Sequence, residues 1–184
     1  MKTKDLTLAA LFAGFISISS YIVIPLPVVP FSLQVFAVSL TAICLTRKQA
    51  LFAILTYTLV GLIGLPVFAG GRGGFQVILS PSFGFILGFI PMVFIINTLF
   101  HKLPKGKRWL AFIAGSLSLY AVALPILYFN LKLNTGTVLP LSKLLVTYWL
   151  IFLPTDCLSM GLSYLVQTKI LPFAQSQTTS SESL

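Results

Sequence analysis

The chain has 184 residues, 57% of them hydrophobic and 8% charged, with a mean hydropathy of +1.01. A water-soluble domain carries about a quarter charged residues, so the composition excludes one. The formal net charge of +9 does not point to a nucleic-acid partner, because the basic residues sit at the ends of apolar runs, where they set membrane topology.

Apolar runs of about 18 residues or more read as membrane helices, and several follow one another here through short connections. Met1-Lys2-Thr3-Lys4 and the apolar run after it have the outline of a secretory signal. No A-x-A cleavage site follows, so the run reads as the first membrane helix. That helix is predicted over 6–24. It ends against Pro25-Leu26-Pro27-Val28-Val29-Pro30, a connection that cannot continue a helix. A second helix is predicted over 31–46, with Gln34 as its one amide, then a tight turn at Arg47-Lys48 and a third helix over 49–64. A glycine-rich loop leads to a fourth helix over 82–100. A basic turn at 101–108 and a fifth helix over 109–130 follow. After a polar loop at 131–140, residues 141–153 are apolar and read as helical, and Pro154 opens a last helix running to 171. The expected fold is all-α: one polytopic membrane domain over 1–173, with six transmembrane helices in a compact bundle. Residues 174–184 are polar and are expected to form a disordered cytoplasmic tail.

With six spans the basic residues alternate. Lys2, Lys4, Arg47, Lys48, Lys102, Lys105, Lys107, Arg108 and Lys169 fall on one side, and Arg72, Lys132 and Lys143 on the other. The Lys/Arg-rich side is cytoplasmic, so both termini are expected inside a plasma membrane crossed several times, with lipid as the surroundings. Cys44 and Cys157 lie in apolar stretches without CxxC pairing. They read as small packing residues, not as a disulfide or metal site.

Gly64-Leu65-Pro66-Val67-Phe68-Ala69-Gly70-Gly71-Arg72-Gly73-Gly74 interrupts the apolar pattern. Its glycines permit positive φ and close backbone approach, and Arg72 is the one charge between Lys48 and Lys102. Two readings stay open. The loop presents the Arg72 guanidinium and the free N–H groups around Gly73 and Gly74 to an anion, or it is an exterior loop with a solvated arginine.

Of three acidic residues, Asp5 lies at a helix end and Glu182 in the tail, so Asp156 alone lies within the apolar body. An ionisable residue there costs about 2.5–3.5 kcal/mol if deep and is a functional candidate. It also fits a capping aspartate, since Leu153-Pro154-Thr155-Asp156 has the pattern of a helix start. Asp156, Ser159 and Ser163 follow helical spacing and put a polar stripe on one face. By the topology above, Asp156, Arg72 and Gln34 share the outer side. A cavity there is expected to have walls of Phe31, Phe68, Phe75, Phe83 and Phe85, and to suit a small amphiphile with N–H donors at one end and an anion at the other. Catalysis finds no support. His101 and Asp156 fall on opposite faces, so no Ser-His-Asp relay forms. The glycine loop lacks G-K-[ST], and no His/Cys/Glu cluster suggests a metal. Neither an enzyme nor a cofactor is expected.

Val29-Pro30-Phe31-Ser32-Leu33-Gln34, Gly61-Leu62-Ile63-Gly64-Leu65-Pro66-Val67-Phe68-Ala69-Gly70-Gly71, the stretch 81–88, and Phe152-Leu153-Pro154-Thr155-Asp156 resemble the BioY family, the biotin-binding S components of energy-coupling factor (ECF) transporters. The likeness covers about residues 3–172. It implies a six-helix membrane protein that binds biotin near the outer face and works with a transmembrane T component and two cytoplasmic ATPase subunits. The substrate-binding residues it implies, together with the reading above, are Asp156, Arg72, Ser159, Gln34, Phe68, Gly73, Gly74 and Phe85. Three departures stand out. Ser159 occupies the place where the family usually has a lysine, three residues after the aspartate. Arg72 occupies a place where a small or polar residue is usual, and Ser80-Pro81-Ser82-Phe83-Gly84-Phe85 replaces a glycine-proline-x-glycine-glycine-tyrosine run. They imply a rearranged partner for the ligand carboxylate, or a divergent paralogue for another small vitamin-like carboxylate.

On helix 1, Ala9 and Ala13, and Ala10 and Gly14, are small residues four apart, a pattern that permits close helix approach. Its likeness to the alanine-x-x-x-alanine pattern of S components implies docking on the T component through Ala9 and Ala13. Two other functions fit the residues: a self-sufficient solute carrier, and a structural subunit that binds no ligand.

Overall fold

In the computed structural model, residues 3–25, 29–136, 140 and 146–170 are described. Six α-helices fall within them: α1 (Thr3–Ser19), α2 (Gln34–Cys44), α3 (Arg47–Ile63), α4 (Phe83–Lys102), α5 (Trp109–Thr135) and α6 (Leu153–Leu165). Wider π-type turns precede α6 at Val146–Leu150 and continue it at Val166–Ile170. By length and composition, α4 and the segment containing α5 are the two among the described residues able to cross a membrane. The expected tail at 174–184 and most of 137–145 lie outside the described residues.

Several helix ends differ from the sequence reading: α2 begins at Gln34 and not at 31, because Phe31 and Ser32 pair as a strand, and three others have a local reason. Helix α1 stops at Ser19, where Ser17, Ser19 and Ser20 donate to the carbonyls of Ala13, Phe15 and Ser17 and so compete with the helical ladder. The chain then turns, and β1 (Val23–Ile24) pairs antiparallel with β2 (Phe31–Ser32), Val23 opposite Ser32 and Ile24 opposite Phe31. The β-branched residues that extended the predicted helix thus form a short ladder, and the all-α expectation gains this hairpin. Helix α3 begins two residues early, because Thr46 and Gln49 form a reciprocal capping box that fixes Arg47 as its first residue. Helix α5 runs on to Thr135, through Pro125, and ends on Gly136 with φ 66°, the left-handed cap that glycine accepts.

Packing is tightest between α4 and α5. A Cβ on Gly84 would stand 2.5 Å from the Ala123 carbonyl oxygen, one on Gly88 2.7 Å from that of Leu119, and one on Gly115 2.3 Å from the Ile96 side chain. Glycines four apart on α4 let the two backbones close up. Helix α1 packs on α3, and α2 lies between α4 and α6. Buried Asn97 of α4 donates to the carbonyls of Ala42 and Leu45 at 2.7 and 2.8 Å, satisfying acceptors at the C-terminal end of α2. At the same end, where α1 and α3 begin, Gln49 donates to Asp5 at 2.8 Å.

The loop after α3 is ordered by its own backbone. Phe68 and Arg72 face each other across a tight turn, with the Phe68 N–H donating to the Arg72 carbonyl at 2.9 Å. Gly70 and Gly71, at φ 75° and 72°, make that turn possible. The Phe68 ring lies over Gly61 of α3, where a Cβ would meet it at 2.2 Å. A 3₁₀ turn at Phe75–Leu79 follows. Asn130 and Asn134 of α5 hold it by donating to the carbonyls of Ile78, Ser80 and Leu79.

Candidate functional site

Where the hairpin, the glycine loop and the starts of α2, α4 and α6 meet, they enclose a pocket of about 50 Å³. Gln34, Phe68, Arg72, Phe85 and Asp156 all line it, so the fold brings together residues separated by up to 122 positions. Gln34 reaches it because the β2 ladder sets α2 to begin there. Its amide oxygen accepts from Ser32 at 2.7 Å, and its amide nitrogen donates to Tyr57. One N–H of the amide is left for a ligand.

Asp156 is 3% exposed. It does not cap α6: Phe152 is the cap residue and no side chain caps the helix. Instead its Oδ2 accepts the Tyr120 hydroxyl at 2.5 Å. That leaves Oδ1 as an acceptor on the pocket wall. Tyr120, from the middle of α5, is the site residue the sequence reading missed. Its hydroxyl is not singular in the sequence, where Ser116 and Ser118 stand within a turn of it, so no local signal marked it.

The wall beside this pair is aromatic. Phe31 stacks on Phe152 at 6.2 Å, Phe85 packs against Phe152 at 6.2 Å, and its edge meets Tyr120 at 5.9 Å. Phe68 meets Tyr57 edge to face at 5.5 Å. Arg72, exposed on the loop, supplies the pocket's cation. The pocket therefore offers a carboxylate acceptor, an amide donor, a guanidinium and flat apolar faces.

Several expected residues stand elsewhere. Gly73 and Gly74 shape the loop and do not line the pocket. A Cβ on Gly73 would strike the Leu65 carbonyl at 2.2 Å, while Gly74 takes φ 92° and donates to the Gly61 carbonyl at 2.7 Å. Ser159 is buried one turn beyond Asp156, and its carbonyl accepts from Ser163 at 2.8 Å. It is not part of the wall. Phe75 is 73% exposed, and Phe83 is buried away from the pocket. Ala9 and Ala13 face inward, 0% and 6% exposed. The outward pair on α1 is Ala10 and Gly14. An apolar α1 with no polar face left this choice of side undetermined in the sequence.

The sequence model of the BioY family matches residues 1–176. The chain belongs to the BioY family. Members similar to it include the biotin transporter BioY of Thermotoga maritima, 41% identical over 127 residues, covering 68% of this chain and 75% of that one. Another is the biotin transporter BioY2 of Lactococcus lactis subsp. cremoris, 44% identical over 112 residues and 61% of each chain. The fold is similar to the crystal structure of the S-component for biotin from an ECF-type ABC transporter, with a TM-score of 0.69 and 25% identity. That likeness covers 90% of this chain and 92% of the other. BioY membership identifies a transporter component, not an enzyme.

Proposed function

We propose that the chain is the S component of an ECF transporter and captures biotin in the pocket between the hairpin, the glycine loop and α6. The observation that carries this reading is the convergence of Asp156, Gln34 and Arg72 on one aromatic-walled pocket. Biotin has ureido N–H donors at one end and a valerate carboxylate at the other. Asp156 accepts the ureido N–H groups, Gln34 donates to the ureido oxygen, and Phe31, Phe85 and Phe152 cover the bicycle. Arg72 pairs with the valerate carboxylate in place of the lysine that Ser159 replaces. Small-molecule pockets run to roughly 300 Å³ or more, so the wall widens on binding.

The basic turns at 47–48 and 102–108 support a cytoplasmic location for their end of the bundle. Both termini are then inside, all six helices lie within the membrane, and the pocket faces outward. The sequence carries no G-K-[ST] nucleotide motif, and in this reading a T component and two ATPase subunits supply the energy. Ala10 and Gly14 give the outward small surface for docking.

Calorimetry on the purified chain tests the site. Biotin is expected to bind more tightly than lipoate, which lacks the ureido group. Arg72→Ala should weaken biotin strongly and biotinamide hardly at all. Equal losses for the acid and the amide would make Arg72 a loop-shaping residue. No saturable biotin binding would overturn the reading.

A further inference from the structure

A second cavity, of about 650 Å³, opens between α5 and α6. It shares Asp156 with the first pocket and otherwise has different walls. Its walls are apolar, and Ile113 and Leu117 on its α5 side are half-exposed. It opens sideways, where lipid would lie. Along α6 it runs from Leu153 to Tyr164, about 16 Å at 1.5 Å per residue. One leaflet of a bilayer core of roughly 30 Å has that depth.

The two ends of the groove differ. Its deep end reaches Asp156 and Trp149. Its mouth is formed by Lys105, Gly106 and Trp109, and Lys107 and Arg108 belong to the same turn. No acidic residue occurs between Asp5 and Asp156 in the sequence, so no neighbouring carboxylate in the turn neutralises it. Basic pockets between membrane helices bind anionic headgroups, and an indole beside them suits the membrane–water interface.

We propose that this groove holds an acyl chain of an anionic phospholipid, with the phosphate seated on Lys105 and Lys107 and the chain end reaching the level of Asp156. The lipid fills the space that α5 and α6 leave between them. Charge at the mouth, leaflet-deep length and apolar walls are all needed for this occupant. A polar peptide such as the Gln/Ser/Thr tail at 175–183 matches only the mouth.

The chain contains two tryptophans, Trp109 and Trp149, and both line the groove. Bromine on an acyl chain quenches a nearby indole. The full chain is therefore reconstituted in phosphatidylcholine vesicles containing, at equal mole fraction, dibrominated phosphatidylglycerol or dibrominated phosphatidylcholine. The anionic lipid is expected to quench more strongly. Its preference should fall about fivefold for each charge removed in Lys105→Gln and in Lys105→Gln/Lys107→Gln. Filling the groove with Cys157→Leu/Gly161→Leu should lower quenching by the anionic lipid even with both lysines present. Thermal melting checks that each variant is folded. Equal quenching by the two lipids overturns the proposal. Full quenching in the filled variant does so too, because the headgroup is then attracted to the turn with no chain in the groove. Quenching that appears only after truncation at 174 would mean that the tail covers the groove, which also overturns it.

Discussion

Helix α5 has two neighbours and treats them differently. Against α4 the backbones meet through Gly84 and Gly88, and Gly115 seats the Ile96 side chain, with no room for one more carbon. Against α6 they stand apart, leaving a groove of about 650 Å³ bridged at one end by the Tyr120–Asp156 hydrogen bond. A glycine-closed pair resists relative motion, because any shift meets backbone. A pair joined by one polar contact at its end can open there. Asp156 thus stands on the loosely packed side of α5, while the Tyr120 hydroxyl that it accepts comes from the helix held tightly by α4.

The strongest way to break this comparison is Gly88→Leu. The new side chain meets the Leu119 carbonyl, which cannot move without moving α5. Overpacking typically costs about 1–3 kcal/mol and sometimes more, and backbone contact places this case at about 3 kcal/mol or above. Thermal melting of the detergent-solubilised protein should show a large drop or no folded material. A melting temperature near that of the parent would mean that α4 and α5 slide freely.

Next in size is Asp156→Asn. The change keeps shape, removes the charge and leaves one acceptor oxygen where two stood. Hydrogen bonds to charged groups contribute about 1.5–3 kcal/mol, so biotin affinity should fall roughly 10- to 150-fold. Calorimetric affinity within a factor of two of the parent would remove Asp156 from the site.

Tyr120→Phe sharpens the comparison by cutting the α5–α6 bridge while leaving the carboxylate in place. A net contribution of about 0.5–1.5 kcal/mol predicts a loss of roughly two- to twelvefold in affinity. Hydrogen exchange should rise in α6 and not in α4. Equal rises in both helices would mean that the bridge holds the whole bundle.

The smallest expected effect has the opposite sign. A Cβ on Gly161 of α6 meets nothing within 4 Å, so Gly161→Ala should stabilise by about 0.5–1 kcal/mol through the backbone entropy of glycine. The same change at Gly88 should destabilise. Matching signs at the two positions would erase the difference between the two faces of α5.

Long apolar runs made α4 and α5 legible in the sequence, and Asp156 stood out as the lone carboxylate within them. The glycine loop announced itself, and Arg72 with it. What the sequence hid was direction. Gly73, Gly74 and Arg72 are neighbours, yet only the arginine reaches the pocket, because steric closeness to Leu65 and a positive φ use the glycines for shape. Ile22, Val23 and Ile24 are as apolar as helix α1, and only pairing with distant Phe31 and Ser32 decides their conformation. Tyr120 acquires its meaning from a residue 36 positions away, which no local pattern announces.

The seat of Phe68 on Gly61 has a mechanical consequence. The ring rests directly on the α3 backbone, so no flexible side chain lies between them to absorb a push. Phe68 is also pocket wall. A ligand that displaces the ring therefore loads a stiff rod. Twelve residues along that rod, about 18 Å away at 1.5 Å per residue, Gln49 grips Asp5 of α1. A push on Phe68 would in this way be carried along α3 toward Asp5, at the opposite end of the bundle.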